Sequence, residues 1–490
     1  MSTDSRVVRA RSWIMGACMA LCLLVPATAR AQETPDTSVA GLRQEIEELK
    51  QTIFALERRL ADLEPTQGQA PAPPATAEVT PPPEAPPAEP AAAQAPPPAD
   101  SPSPVPPAEP APTEEPPPLT IASAAGGKNF LNLSLDGLVA AGTSTAEDVG
   151  ALEVGGHDPA QRGFTVQNVE TVFEGAVDPY FRGQANLVFQ ITPEGETQVE
   201  LEEVYVTTTS LSHGLQAKAG QFFTEFGRLN PTHPHAWDFV DQPLVNGRFF
   251  GPDGLRSTGL RLSWLLPSDF YSEAFLTVQN SQGETVTSFR GTPGETLFGR
   301  ETGERPVASF SDLLVVPRYS ASFDLSDTQT ILLGASAALG PNGTGSSART
   351  RIYGLDGFWK WKPVNAFQGF PFVKVQAEVM RRGATVGATE GLPAASFSDW
   401  GGYLQANWGY RARKVVGLRI DRVGGDSGEP RDPALGARWR LSPAFTWFPT
   451  EYSKLRLQYN FDRGDTLQQD EHSLWLQLEF LLGAHAAHKF

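Results

Sequence analysis

KLRLQYNFDR, residues Lys454 to Arg463, alternates with a period of two. Leu455, Leu457, Tyr459 and Phe461 fall on one face, and Lys454, Arg456, Gln458, Asn460 and Asp462 on the other. Successive side chains of a β-strand point to opposite sides of its sheet, so the stretch predicts a strand with one apolar and one hydrophilic face. Phe372 to Val379 repeats the scheme, with Val373, Val375, Ala377 and Val379 opposed to Lys374, Gln376 and Glu378. Val416 to Ile420 and Ser473 to Phe480 follow it as well. Working outward from these stretches, sixteen strands are predicted. They start near Phe130, Thr165, Phe181, Val199, Gly214, Arg256, Tyr271, Asp312, Thr328, Arg351, Phe370, Asp399, Val415, Ala434, Lys454 and Ser473. The pattern is compatible with 14–18 strands.

A soluble sandwich would alternate too, but three features point to an all-β fold, an antiparallel transmembrane β-barrel. The apolar faces are unbroken. Aromatic residues gather near strand ends (Trp359 and Trp361, Trp400, Trp408 and Tyr410, Trp447 and Phe448), as in the interfacial girdles of outer-membrane barrels. Short turns at Ser326-Asp327, Arg411 to Arg413 and Thr450 to Ser453 alternate with longer polar connections. The chain also ends in Phe490 after a strongly alternating strand. Lipid cannot satisfy an open sheet edge, so such a sheet must close. Sixteen to eighteen strands leave a water channel, and an even count returns both termini to the periplasmic side.

Composition makes sense once the chain is divided. The 490 residues hold 43 prolines, 46 glycines and 2 cysteines, with a net charge of −17. Residues 1–31 read as a secretory signal peptide: Arg6, Arg9 and Arg11, an apolar run from Trp13 to Val25, and the cleavage triplet Ala29-Arg30-Ala31. Cys18 and Cys22 both fall within it, so the exported chain needs a large core, a closed sheet or a bilayer in place of disulfides. Residues 32–64 carry a heptad from Val39 to Leu63, with Val39, Ile46, Ile53 and Leu60 at a and Leu42, Leu49, Leu56 and Leu63 at d. That predicts a short parallel coiled coil. Residues 65–119 form a Pro/Ala-rich linker, with 22 prolines between Pro65 and Pro118, predicted to be disordered and extended. The remaining 120–490 are the barrel, with 31 Lys+Arg against 40 Asp+Glu. Only Trp13 to Ala29 approaches the length of an apolar membrane helix, and the acidic balance argues against a nucleic-acid partner.

No enzyme and no cofactor are expected. Gly340 to Gly345 lacks the lysine of a phosphate-binding loop. Gly425 to Pro430 (GDSGEP) is similar to the nucleophile segment of chymotrypsin-like serine proteases, but the one Ala-Ala-His, at 486–488, follows it in the wrong order for that family.

Ala217 to Gly227 (AKAGQFFTEFG), Asp238 to Asp241 (DFVD) and Leu255 to Leu260 (LRSTGL) resemble the phosphate-selective porin (porin O and P) family of Gram-negative outer membranes. The likeness covers about 370 residues in architecture and about 45 in motif. It implies a trimeric barrel narrowed by a long inward loop. Phe223 and Glu225 stand where that family's pattern has lysine and proline, and lysines are scarce, which speaks against a phosphate path. Gly227 to Leu244, with His233-Pro234-His235, has a shorter likeness to zinc-regulated outer-membrane receptor-like barrels. The heptad leans towards a dimer, but barrel contact is far larger than the coil, so a homotrimer is expected.

On the inward faces, Arg182, Lys360, Lys374, Arg419, Arg438, Arg440, Lys454 and Arg456 are set against Glu170, Glu174, Glu273, Asp356, Glu378, Asp421, Asp462 and Glu479. That balance predicts passive diffusion of small hydrophilic solutes or ions, tuned by wall and constriction charges. The constriction is expected in a loop at about 224–253, lined by Arg228, Asp238, Asp241 and Arg248. No metal is expected: His233 and His235 lie near Asp238 and Asp241, but a site needs three or four converging ligands. His485 and His488, near the chain end, are treated alike. The expected surroundings are outer-membrane lipid and lipopolysaccharide, with the coiled coil and linker in the periplasm. Two alternatives stay open: an anchor whose coil binds the cell wall or a partner, and a zinc-regulated uptake receptor-like barrel.

Overall fold

The structure is a computed structural model, and it describes residues 120–123, 129–176, 178–389, 391–425 and 435–483. The signal peptide, coiled coil and linker read from the sequence lie outside these residues, as do Asp426 to Pro430, His485, His488 and Phe490.

Sixteen antiparallel strands form a closed barrel. They are β1 (Phe130–Ser144), β2 (Gly163–Ala176), β3 (Phe181–Ile191), β4 (Thr197–Thr208), β5 (Leu215–Phe223), β6 (Arg256–Leu265), β7 (Tyr271–Gln279) and β8 (Leu314–Ser326). The second half is β9 (Gln329–Pro341), β10 (Arg349–Trp361), β11 (Phe372–Val386), β12 (Ala395–Arg411), β13 (Lys414–Gly425), β14 (Arg438–Thr450), β15 (Ser453–Gly464) and β16 (Glu471–Gly483). Each strand pairs with its sequence neighbour. β16 closes the ring on β1, from Gly483 opposite Ser134 to Ser473 opposite Ser144. Thr120–Ser123 pairs with the start of β1, and a small hairpin, Thr296–Leu297 with Arg300–Glu301, lies within the β7–β8 connection. The predicted strands are all present, with starts displaced by a few residues.

The alternation sorts side chains as KLRLQYNFDR foretells, but the surface is inverted relative to a water-soluble protein. Leu457 and Tyr459 face out and are exposed, as are Leu418, Ile420, Leu474, Leu476 and Leu478, while Arg456, Gln458, Asn460 and Asp462 face in and are buried. Trp400, Trp408 and Trp447 are also exposed. An apolar exterior around a polar interior is the arrangement a closed sheet adopts in lipid.

The inward rule breaks in one patch. Leu314 and Val316 of β8, Ala338 of β9, Ile352 of β10 and Met380 of β11 point inward and are buried. They form a core with Phe226, Leu244, Val245, Phe249, Phe250, Val286 and Phe289, from the β5–β6 and β7–β8 connections. Apolar wall positions thus mark where loops pack inside the barrel. A short helix, Leu244–Phe250, lies against β12 and β13. Its Phe249 and Phe250 are buried, each contributing about 1.5–3 kcal/mol to seating it.

Candidate functional site

The 32 residues between Phe223 and Arg256 lie inside the barrel and bond to inward side chains on many strands. Their geometry is set at Gly227, whose φ of +63° favours glycine and where a Cβ would run into the Glu378 carboxylate. Glu378 Oε1 accepts the backbone N–H groups of Arg228 at 3.1 Å and Leu229 at 2.7 Å, and the Tyr403 hydroxyl at 2.7 Å. The Arg228 guanidinium donates to Gln376 and stacks over the Phe358 ring at 4.0 Å.

Further along the loop, Asp238 accepts from Lys374 Nζ at 2.5 Å and from Gln405 and Asn407 at 3.2 Å. Asp241 binds four wall side chains. Its two oxygens take Arg419 Nη2 at 2.8 Å, Arg440 Nη1 at 2.5 Å, and the side-chain amides of Gln458 and Asn460 at 2.7 Å each. Burial alone would raise its pKa, but Arg419 and Arg440 overcome this and hold it at about 2. Around it, Arg419 also pairs with Asp421 at 2.7 Å, and Arg440 with Asp462 at 2.9 Å and with Glu153 of the β1–β2 connection at 2.6 Å. Charges buried this deeply are costly unless paired.

The other wall residues read from the sequence are mostly bound to loops as well. Asp421 accepts the Leu244 backbone N–H, Lys454 donates to the His235 carbonyl, and Arg456 donates to the carbonyls of Trp237 and Phe239. Arg438 pairs with Asp462 and donates to the Leu152 carbonyl. Arg182 pairs instead with Glu174 at 3.5 Å, and both side chains are about half exposed. Among the four residues expected to line a constriction, Asp238 is partly open to water, and Asp241 is buried. Arg248 sits on the helix Leu244–Phe250, paired with Asp399 at 3.0 Å, and is largely buried there.

The histidines are not where the sequence suggested. His233 caps a single 3-10 turn, Pro234–Ala236, and His235 lies within it; the turn aims both at β2 and β4 rather than at Asp238 and Asp241, whose oxygens are taken by wall cations and amides. His233 Nδ1 lies 3.2 Å from Glu170 and 2.9 Å from Glu202, and its Nε2 lies 2.9 Å from Glu203. His235 Nδ1 is 3.2 Å from Glu170 Oε2. Burial opposes a charge on His233, yet Glu170 and Glu202 outweigh it and raise its pKa well above the usual range. Sequence reasoning missed Glu202 and Glu203. Their signal was a break in alternation: β4 opposes Asn186 to Glu203 and Leu187 to Leu201, so Glu202 is an extra residue and both glutamates turn inward.

A second space, about 990 Å³, opens at the long-loop end of the barrel. Its lining includes Glu147, Asp148 and Glu471 beside Arg248, Arg382 and Arg438, a mixed-charge set without sign preference.

No family model matches the chain. An uncharacterized protein of Aquifex aeolicus is 30% identical over 366 residues, covering 69% of this chain and 73% of its own. Among solved structures, the outer membrane channel DcaP of Acinetobacter baumannii superposes with a TM-score of 0.49 at 11% identity, covering 74% of this chain and all of that one. The anion-selective porin from Comamonas acidovorans gives 0.46 at 8% identity, covering 72% of this chain and all of that one. OprB of Pseudomonas putida gives 0.43 at 10% identity, covering 72% of this chain and 94% of that one.

Proposed function

The chain belongs to one family with the Aquifex aeolicus protein, and from that premise and the geometry above we propose that it is an outer-membrane porin. Small hydrophilic solutes or ions would diffuse passively through its barrel, which the inward loop narrows. The observation that supports this best is the inverted surface: an apolar exterior encloses an interior of charged side chains, and the loop leaves some of these wet. Arg182 is 52% exposed, Lys374 28% and Asp238 21%. In this reading Asp238, Lys374 and the neighbouring Arg228 line the narrow passage. Asp241, Arg419, Arg440 and Arg248 hold the loop in place. The exposed outward leucines and tryptophans would meet lipid and, in the outer leaflet, lipopolysaccharide. The resemblance of residues 217–260 to trimeric porins supports a homotrimer, with the coiled coil and linker on the periplasmic side.

The test is single-channel recording of the purified full chain in planar bilayers with a salt gradient. Discrete steps with a reversal potential near zero are expected from a lumen of mixed charge. Silent membranes containing correctly folded protein would overturn the reading. Strong anion preference would instead favour the phosphate-selective resemblance.

A further inference from the structure

We propose that Glu170, Glu202 and His233 form a binding site for one divalent transition-metal ion of the Zn²⁺ class, joining the inward loop to β2 and β4. This goes beyond the porin reading and does not depend on conduction. The donor atoms of these three residues all lie within 4.8 Å of one another. A tetrahedral zinc site has ligand bonds of about 2.0–2.1 Å, which places its donors about 3.3 Å apart. The distances from His233 Nδ1 to the two carboxylates, 3.2 and 2.9 Å, are close to that spacing.

Direction supports the assignment as well as distance. His233 Nδ1 makes no hydrogen bond of proper geometry, and neither oxygen of Glu202 accepts one, although Glu202 is 1% exposed. Groups that aim at a common point between them, rather than at each other, produce that combination of short distance and poor alignment. A buried carboxylate without a hydrogen bond is costly, and a shared cation removes the cost.

The surroundings match what metal-bound histidines and carboxylates need. His233 Nε2 faces Glu203 Oε2 at 2.9 Å, the carboxylate partner that fixes a ligating imidazole's tautomer. Glu203 is itself held by the Phe223 backbone N–H at 2.8 Å, and Glu170 Oε1 by the Asn186 amide. On the far side of Glu202, His157 Nε2 is buried 3.5 Å from Oε1 without a hydrogen bond. Its Nδ1 lies 3.3 Å from the Gln167 carbonyl oxygen and 2.8 Å from the Gln190 amide nitrogen. His157 thus flanks the carboxylate of Glu202 outside the three converging donors. Nitrogen and oxygen donors of this kind suit Zn²⁺ over Ca²⁺ or Mg²⁺, which prefer all-oxygen shells.

The experiment is calorimetric titration of Zn²⁺ into the chelator-stripped full chain in detergent, with heat-modifiable gel migration reporting that each barrel is folded. The wild type should bind one Zn²⁺ per barrel. Glu202→Gln and His233→Ala should abolish that binding, and Glu203→Gln should weaken it by roughly 10–100-fold. A chain carrying both His485→Ala and His488→Ala should bind as the wild type does. X-ray absorption of the zinc-loaded wild type reads the ligands even if a variant does not fold, and should show mixed imidazole and carboxylate coordination. No binding by the wild type, binding unchanged in folded Glu202→Gln, or an all-oxygen shell overturns the site. The titration needs no current, so its failure and a failure of channel activity are told apart.

Discussion

The two halves of the inward loop are held by different chemistry. From Asp238 to Asp241 it is docked by cations of the wall, with Arg419 and Arg440 sharing Asp241 and Lys374 holding Asp238. From Gly227 to His235 it is docked mainly by carboxylates, with Glu378 on backbone N–H groups and Glu170, Glu202 and Glu203 on imidazoles. Arginine brings a permanent charge and five donors in a fixed fork, so the later half is closed by groups the chain itself supplies. The earlier half collects acids around histidines, whose charge is conditional. One attachment is therefore self-sufficient, and the other depends on a proton or another cation.

Removing Asp241 strikes the self-sufficient half at its centre. Asp241→Ala would leave Arg419 and Arg440 buried with one carboxylate partner fewer each, a loss on the order of 3–5 kcal/mol for a buried pair of this kind. Limited proteolysis should then cut within residues 224–255, and channel recordings should show larger, noisier conductance. Intact loop protection in the folded variant would show that the apolar seat of Phe249 and Phe250 is sufficient by itself.

The corresponding change in the earlier half is Glu378→Ala, which strands two backbone N–H groups and the Tyr403 hydroxyl. Unsatisfied buried donors cost about 1–3 kcal/mol each, but these lie beside a partly wet passage that can supply water. A loss smaller than that of Asp241→Ala is expected in thermal melts. Glu378→Gln keeps an acceptor in place and should recover most of it. Equal losses for the alanine and glutamine variants would mean that charge rather than acceptor geometry matters there.

Acid should separate the halves without mutation. The depressed pKa of Asp241, about 2 against an unfolded value near ~3.9, stabilises the docked loop above pH ~4. That contribution disappears as pH falls from there through about 2. Asp421, Asp462 and Glu153 share the same arginines, so the comparison needed is wild type against Asp241→Asn. Melting temperatures of the two should converge between pH 4 and pH 2. A constant difference would remove Asp241 as the acid-sensitive contact.

The barrel was legible from period-two alternation because side-chain direction in a strand is local. The strands that start at Phe130, Phe181, Arg256 and Tyr271 were placed to the residue. The occupancy of the lumen was not legible. Alternation says that Arg419, Arg440 and Lys454 point inward, but not that a loop from elsewhere in the chain meets them, which is a long-range fact. Hence residues that read as a charged pore wall turn out to be loop attachments. Two local clues did point to this: the apolar inward run Leu314, Val316, Ile352 and Met380, and the doubled glutamate of β4. Both are exceptions to alternation, and both mark places where something packs against the wall from inside.

Arg182 is the reference against which both halves can be measured, because it lies on the wall and pairs with Glu174 rather than with the loop. An exposed pair of this kind contributes about 0–1 kcal/mol, so Arg182→Ala should leave melting and loop proteolysis unchanged. Its effect should appear in the current alone. Taking one positive charge from a wet stretch of the lumen makes the local field more negative, and the reversal potential should move slightly towards cations, more at low salt than at high because screening shortens with ionic strength. If the same shift appears in Lys374→Ala together with loop release, Lys374 both filters and fastens. If Arg182→Ala leaves the reversal potential unmoved at low salt, the conducting path does not pass Arg182, and the wet end of the lumen lies outside it.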